Sequence, residues 1–161
     1  MLQSEYAKRR INVRAIIWKD GKLLAVKHRS RHGNGVAAYY NTPGGGIDPM
    51  ESLADCLKRE VMEETGVEVV PGKLLFIQQF PAVREGYDEE LELFFSIENP
   101  DDFVNINLEN TTHGHIELAL CEYVDPKSVT LYPVFLQTIN IEKYVTSDQP
   151  TLVVNNLKER L

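Results

Sequence analysis

The segment from about Glu51 to Thr65 has the periodicity of a helix whose inward face changes from apolar to acidic. Residues three and four positions apart share one face of a helix, and an apolar stripe of this kind normally faces a core. Burying a carboxylate without compensation costs several kcal/mol. The stripe therefore predicts that these acids face a wet cleft or bound cations. Its members are Leu53, Cys56 and Leu57, followed by Glu60, Glu63 and Glu64.

A solvated acidic face is the alternative interpretation of the same pattern. Like charges one helical turn apart on an exposed helix cost only about 0.2–0.5 kcal/mol, so repulsion alone does not decide between the two. If cations are bound, oxygen-only ligands favour Mg²⁺ or Mn²⁺ over zinc. No calcium loop of the EF-hand type is present in the sequence.

The ends of this helix are marked by local signals. Asp48-Pro49-Met50-Glu51 has an N-cap residue, a proline at the first helical position and a capping-box acid, whereas Ser52 with Asp55 is a rival start. Gly66 is a natural residue to follow the last turn.

The remaining pattern predicts one mixed α/β domain over residues 1–161, with a core of about 11–144 and a C-terminal segment of 145–161. Lys19-Asp20-Gly21 predicts a hairpin turn between strands at Ile11–Trp18 and Lys22–Arg29. Gly44-Gly45-Gly46 predicts a sharp turn or a close approach rather than strand or helix interior. Further strands are expected at Val67–Val70, Leu74–Phe80, Leu91–Ile97 and Ile116–Val124, a second helix at Leu131–Tyr144 and a short terminal helix at Thr151–Leu161.

The charge and composition of the chain limit the kinds of partner that it is expected to bind. The net charge of −7 argues against binding to nucleic acid, whose phosphates attract basic surfaces. No apolar run is long enough to span a bilayer, so no membrane partner is expected. Cys56 and Cys121 are isolated in apolar surroundings, which is typical of reduced, buried thiols in a cytoplasmic protein.

The segment from Gly45 to Val67 resembles the signature box of the Nudix (MutT-like) hydrolases. The matching pattern is Gly45-x5-Glu51-x7-Arg59-Glu60-Val61-Met62-Glu63-Glu64-Thr65-Gly66-Val67. The resemblance extends over about 11–144 and implies the Nudix fold, in which a mixed β-sheet is sandwiched between helices (an α/β/α sandwich). It also implies that Glu60, Glu63 and Glu64 bind Mg²⁺ or Mn²⁺ together with the Gly44 carbonyl, and that Arg59 and Glu51 fix the loop against the helix.

The resemblance implies hydrolysis of a nucleoside diphosphate derivative to a nucleoside monophosphate and a phosphorylated product. Glu64 or Glu60 is the favoured general base. Glu117 is a further candidate, although a surface glutamate in a strand is the alternative. Arg14, Arg29, Gly44 and Gly45 are expected to contact the substrate, while ordinary solvated surface is the alternative for Arg29.

The identity of the substrate depends on weaker signals. Pro81 follows the box at nearly the spacing at which ADP-ribose-cleaving relatives carry a proline. ADP-ribose or a nucleotide sugar is therefore favoured over a nucleoside triphosphate. A Nudix-fold sensor that binds nucleotides without turnover is the non-enzymatic alternative, and the sequence leaves a homodimer open.

Overall fold

The strands form two sheets. The computed structural model describes residues 6–30 and 34–157. The larger, five-stranded sheet has the order β4-β1-β6-β5-β8 and the smaller one the order β2-β3-β7. The strands are β1 Arg9–Ile16, β2 Trp18–Lys19, β3 Lys22–His28, β4 Gly44–Gly46, β5 Pro71–Pro81, β6 Glu89–Ile97, β7 Leu118–Val124 and β8 Leu152–Asn155.

The larger sheet is mixed and is covered on both faces. β1 runs parallel to β6 and antiparallel to β4, while β5 is antiparallel to β6 and parallel to β8. One face packs against the long helix α1 and the other against α3 and α4, which confirms the predicted α/β sandwich. The α-helices are α1 Leu53–Thr65, α2 Gly114–Glu117, α3 Phe135–Thr138 and α4 Ile141–Thr146, and Pro100–Phe103 and Leu108–Asn110 are 3-10 turns.

None of the helices in residues 6–30 and 34–157 is long and apolar enough to cross a membrane.

Helix α1 begins at the rival start rather than at Asp48. The Ser52 side chain accepts a hydrogen bond from the Asp55 backbone N–H, and Gly66 ends the helix in the left-handed conformation at φ 73°. The predicted start at Asp48 was wrong because Met50 takes a left-handed φ of 65°, which interrupts a helix. Glu51 still accepts a hydrogen bond from the Asp48 N–H at 3.0 Å and closes a separate turn in the preceding loop. The helix therefore starts after that turn has closed.

The predicted hairpin is present but short. Asp20 and Gly21 take positive φ values of 50° and 75° and connect β2 to β3 in an antiparallel pair. The predicted strand before the turn is not one continuous strand of the hairpin, because β1 ends at Ile16 and belongs to the larger sheet. The chain thus passes from one sheet to the other just before the turn.

Three other sequence predictions are corrected by the fold. The stretch Val67–Val70 is a loop, in which the Val70 N–H bonds to the Asn99 side chain rather than to a strand. The predicted helix at Leu131–Tyr144 is two short helices, because Asn140 caps a new helix at its Lys143 N–H. The C-terminal segment forms the strand β8 beside β5 instead of a helix, and its last residues, 158–161, lie outside the described residues.

The three glycines form the short strand β4, contrary to the expectation that they would avoid strand interior, while the expected close approach is confirmed. Gly44 pairs with Arg14 of β1 at a positive φ of 138°, and an added Cβ there would lie 2.1 Å from the Val13 carbonyl oxygen. No side chain fits in that space. The bare backbone brings β4 close to β1.

We therefore expect Gly44→Ala to destabilise the fold by about 3 kcal/mol or more, from the combined overlap and unfavourable φ. Gly86→Ala is the matched control, since Gly86 also has a positive φ of 90° but nothing within 4 Å of an added Cβ. That control should cost only about 1 kcal/mol. Urea unfolding measures both; equal losses would show that the contact with β1 is unimportant.

Candidate active site

A cavity of about 800 Å³ brings most of the predicted site residues together. It opens beside β4, and α1, α2, β1 and the end of β3 contribute to its walls. Arg59 is the one predicted site residue that does not line it. The predicted residues that do are Arg14, Arg29, Gly44, Gly45, Glu60, Glu63, Glu64 and Glu117.

Glu64 is the most deeply buried acid of α1. Glu64 is 3% exposed, and one of its carboxylate oxygens accepts a hydrogen bond from the Gly44 N–H at 2.9 Å. Burial raises the pKa of Glu64 to about 8, although the Gly44 N–H and Arg14 partly oppose that rise. The protein therefore provides too little positive charge to hold this carboxylate ionised comfortably at neutral pH.

Glu60 and Glu63 are half-buried and lie beside basic side chains of the protein. The Arg59 guanidinium lies 2.8 Å from Glu60 and 3.7 Å from Glu63, and the His113 Nδ1 lies 3.0 Å from Glu63. Within the described ranges, no three acidic, histidine or cysteine side chains are grouped closely enough to hold one ion as they stand. An ion between Glu60, Glu63 and Glu64 would compete with these partners for the Glu60 and Glu63 carboxylates.

Arg59 lies behind the cavity wall and ties the preceding loop to the helix. Glu51 accepts from its Nε at 2.7 Å and from its Nη2 at 2.9 Å, and the Gly46 carbonyl accepts from Nη2 at 3.1 Å. The paired Arg59, together with the Asp48 N–H, lowers the pKa of Glu51 to about 2. The hydrogen bonds that Arg59 donates to Glu51 also raise the pKa of Arg59, so both groups stay charged.

Arg14 is nearly buried in β1 and bonds to the strands on both sides. It donates from Nε to Glu92 and from Nη1 to the Gly44 carbonyl, each at 3.0 Å. Burial tends to lower the pKa of Arg14, but Glu92 and Glu64 outweigh it and the net shift is upward. The Gly44 carbonyl, an expected metal ligand, is thus already a hydrogen-bond acceptor.

The other two predicted residues differ in how they are held. Arg29 donates from Nε to the Leu118 carbonyl at 3.1 Å, which fixes its orientation at the cavity edge. Glu117 is the last residue of α2 rather than part of a strand, so its expected location was wrong. Its carboxylate is exposed and takes part in no hydrogen bond or ion pair within the described part of the chain.

Several side chains that line this cavity, and Glu92, which accepts a hydrogen bond from Arg14, were not predicted from the sequence. Glu92 had a signal, because Glu90 and Glu92 alternate with leucines along β6 and therefore share one face. His113 lies just before α2, in a segment whose contact with α1 the sequence does not reveal. Arg10 and Arg84 also line the cavity, one at the start of a strand and one in a loop, where a lone arginine carries no recognisable pattern.

The fold of this chain is shared by known proteins. A family model described as the NUDIX domain matches residues 8–138. A MutT protein from Methanosarcina mazei shares 24% identity over 88% of this chain and 96% of its own, with a TM-score of 0.63. An ADP-ribose pyrophosphatase from Streptococcus suis shares 16% identity over 89% of this chain and 98% of its own, with a TM-score of 0.59.

A UDP-X diphosphatase shares 18% identity over 93% of this chain and 69% of its own, with a TM-score of 0.62. At such identities these three structures establish a common fold and no common substrate.

The pair of Glu51 and Arg59 generates a prediction about stability. Glu51→Gln should destabilise the fold by about 1 kcal/mol at neutral pH, because it removes a charge-assisted, bidentate contact. A carboxylate whose pKa falls from 4.5 to about 2 on folding stabilises the native state above pH 4.5, and that contribution is lost as the pH drops through 2. The gap between wild type and variant should therefore narrow between those two pH values.

Urea unfolding across this pH range measures the gap, with Glu109→Gln, at an exposed position, as the control. A gap that stays constant as the pH falls would show that the ionised pair is not its origin.

Proposed function

Since the chain belongs to the Nudix hydrolase family, we propose that this hydrolase cleaves the diphosphate linkage of a nucleoside diphosphate derivative with the help of Mg²⁺ or Mn²⁺. The observation that carries the proposal is the buried Glu64 carboxylate. It lies in the same cavity as Glu60 and Glu63, and its pKa of about 8 reflects a negative charge that the protein itself does not balance.

The residues in the cavity fit a hard divalent ion. Carboxylates of Glu60, Glu63 and Glu64 and the carbonyl of Gly44 are all oxygen donors, and these suit Mg²⁺ or Mn²⁺. Glu64 is held on a rigid helix and oriented by the Gly44 N–H. Glu60 and Glu63 would complete the donor set by exchanging Arg59 and His113 for the ion.

A bound divalent ion would neutralise the diphosphate and make a water molecule more acidic. The chain's own residues divide the remaining tasks. Arg59 holds the loop and β4 against the helix. We assign Glu117 as the general base, in place of Glu64 or Glu60, which the sequence favoured. The Glu117 carboxylate is exposed in the cavity, whereas the helix glutamates are committed to other partners. A base in this position typically contributes about 10²–10⁴-fold to the rate.

The substrate is proposed on the chemistry of the cavity and on the named relatives. A polyanionic linkage needs both ions and arginines, and Arg14 and Arg29 lie in the wall. Two of the similar structures are an ADP-ribose pyrophosphatase and a UDP-X diphosphatase. Together with the position of Pro81, this favours ADP-ribose or a nucleotide sugar, with a nucleoside triphosphate as the alternative.

A panel of nucleoside diphosphate derivatives and triphosphates, assayed with Mg²⁺, Mn²⁺ or EDTA, tests the proposal. We expect turnover that requires the metal. Glu64→Gln should lower kcat/KM by about 10²-fold or more, because it removes a buried ligand charge. Glu117→Gln should lower kcat while leaving the Mg²⁺ concentration for half-maximal activity unchanged, since Glu117 is not among the proposed ligands.

Glu68→Gln is the matched control, because Glu68 is exposed just after α1 and does not line the cavity. Wild-type turnover in Glu64→Gln would contradict the metal role. Thermal stabilisation by the same compounds without any product would instead identify a nucleotide sensor.

A further inference from the structure

Arg10 presents an unsatisfied guanidinium to the cavity. Its side chain is only 19% exposed, and its nearest carboxylate oxygen, on Glu90, is 3.7 Å away. That oxygen already accepts a hydrogen bond from the Asn12 side chain at 2.8 Å. The Arg10 guanidinium donates no hydrogen bond to any residue in the ranges 6–30 and 34–157. Five N–H donors of a half-desolvated cation therefore remain for a ligand.

The strand β4 places this guanidinium next to the acidic half of the cavity. An added Cβ on Gly45 would lie 2.4 Å from the Glu60 carboxylate, whereas one on Gly46 would lie 2.9 Å from the Arg10 Nη2. The two charged groups thus adjoin consecutive glycines, which present opposite faces of the strand. Because β4 is an edge strand of its sheet and carries no side chains, one cavity reaches both groups around this edge. A chain of phosphates can therefore extend from one charged group to the other.

Arg84 adds a second uncommitted guanidinium from the loop between β5 and β6. It is exposed and lines the same cavity, and it forms no ion pair or hydrogen bond with the part of the chain that the structure describes. Burial, and next the positive charge of Arg84, lower the pKa of Arg10. By contrast, Arg14 and Arg29 are oriented by acceptors of the protein.

We propose that Arg10 and Arg84 together bind a phosphoryl group of the substrate on the side of β4 away from α1. That the ligand is the substrate rests on the proposed function. That the ligand is a phosphate does not, because it follows from the two guanidiniums. Two guanidiniums that repel one another at one cavity wall are stabilised by an anion between them, and planar guanidinium groups match phosphate oxygens in pairs. The phosphoryl group belongs either to the diphosphate bridge or to a third phosphate.

The first experiment measures binding of inorganic phosphate in EDTA by ³¹P NMR, so that neither metal nor turnover is needed. Wild type should bind, and Arg84→Ala should bind about tenfold more weakly or worse, since charge-assisted contacts are lost. Arg9→Ala is the control, because Arg9 is a neighbouring cation of β1 that pairs with Glu89 outside the cavity. Its phosphate affinity should be that of wild type.

Steady-state kinetics with Mg²⁺ then identify the source of the phosphoryl group. In Arg84→Ala and Arg10→Gln we expect KM to rise about tenfold with kcat changed much less. If KM rises for triphosphates alone, the phosphoryl group bound by the two arginines is a third phosphate. If KM rises for nucleotide sugars as well, that group belongs to the diphosphate bridge. In the double variant the two effects should not add, because both side chains hold one group.

Thermal unfolding tests whether each variant is folded. Arg84 lies in an exposed loop, so we expect Arg84→Ala to leave the fold intact. Absence of phosphate binding by wild type, equal binding by Arg84→Ala, or an equal loss in Arg9→Ala would each overturn the subsite. If instead no compound of the panel is hydrolysed, the proposed function fails, while the phosphate measurement still tests these arginines.

Discussion

The buried carboxylate of Glu64 is the constraint on which the site depends. The helix α1 packs against β1 through Cys56, Leu57 and Val61, and the same side of the helix carries Glu64 inward. Packing therefore holds the acid at the cavity floor, where its single backbone hydrogen bond does not offset the loss of water. Stability of the fold and the chemistry of the site are thus set by the same helix face.

Around this acid the cavity holds charges of both signs. Arg14 and Arg29 lie near the carboxylates of α1 and α2, whereas Arg10 adjoins the opposite face of the bare strand β4 and Arg84 lines the cavity from the β5–β6 loop. Arg59 holds Glu51, Glu60 and the Gly46 carbonyl at once. A polyanionic linkage held by ions at the carboxylates and by the guanidiniums of Arg10 and Arg84 would complement both sets of charges.

The signature box was predictable from the sequence because its chemistry is local. The spacing of Glu60, Glu63 and Glu64 follows from helix geometry, because all three lie on α1. The pairing of Arg59 with Glu51, which precedes the helix, was instead implied by the resemblance to the Nudix box. Long-range neighbours were not predictable. Arg10 and Arg84 line the same cavity because β1 pairs with β6 and the β5–β6 loop, through the Asp88 N–H, bonds to the Lys8 carbonyl just before β1. Likewise, the sequence of Thr151–Leu161 predicts a helix, but its first part pairs with the edge of β5 as the strand β8. The predicted helix Leu131–Tyr144 is divided because Asn140 caps a second helix.

The most direct measurement is an anomalous difference map from a crystal of the protein grown with Mn²⁺. The account predicts a manganese peak about 2 Å from a Glu64 carboxylate oxygen, with Glu60 or Glu63 turned away from Arg59 to share it. Manganese bound elsewhere, or a Glu64 carboxylate without a metal while Glu60 and Glu63 keep Arg59 and His113, would contradict the claim that this helix face exists to hold a cation.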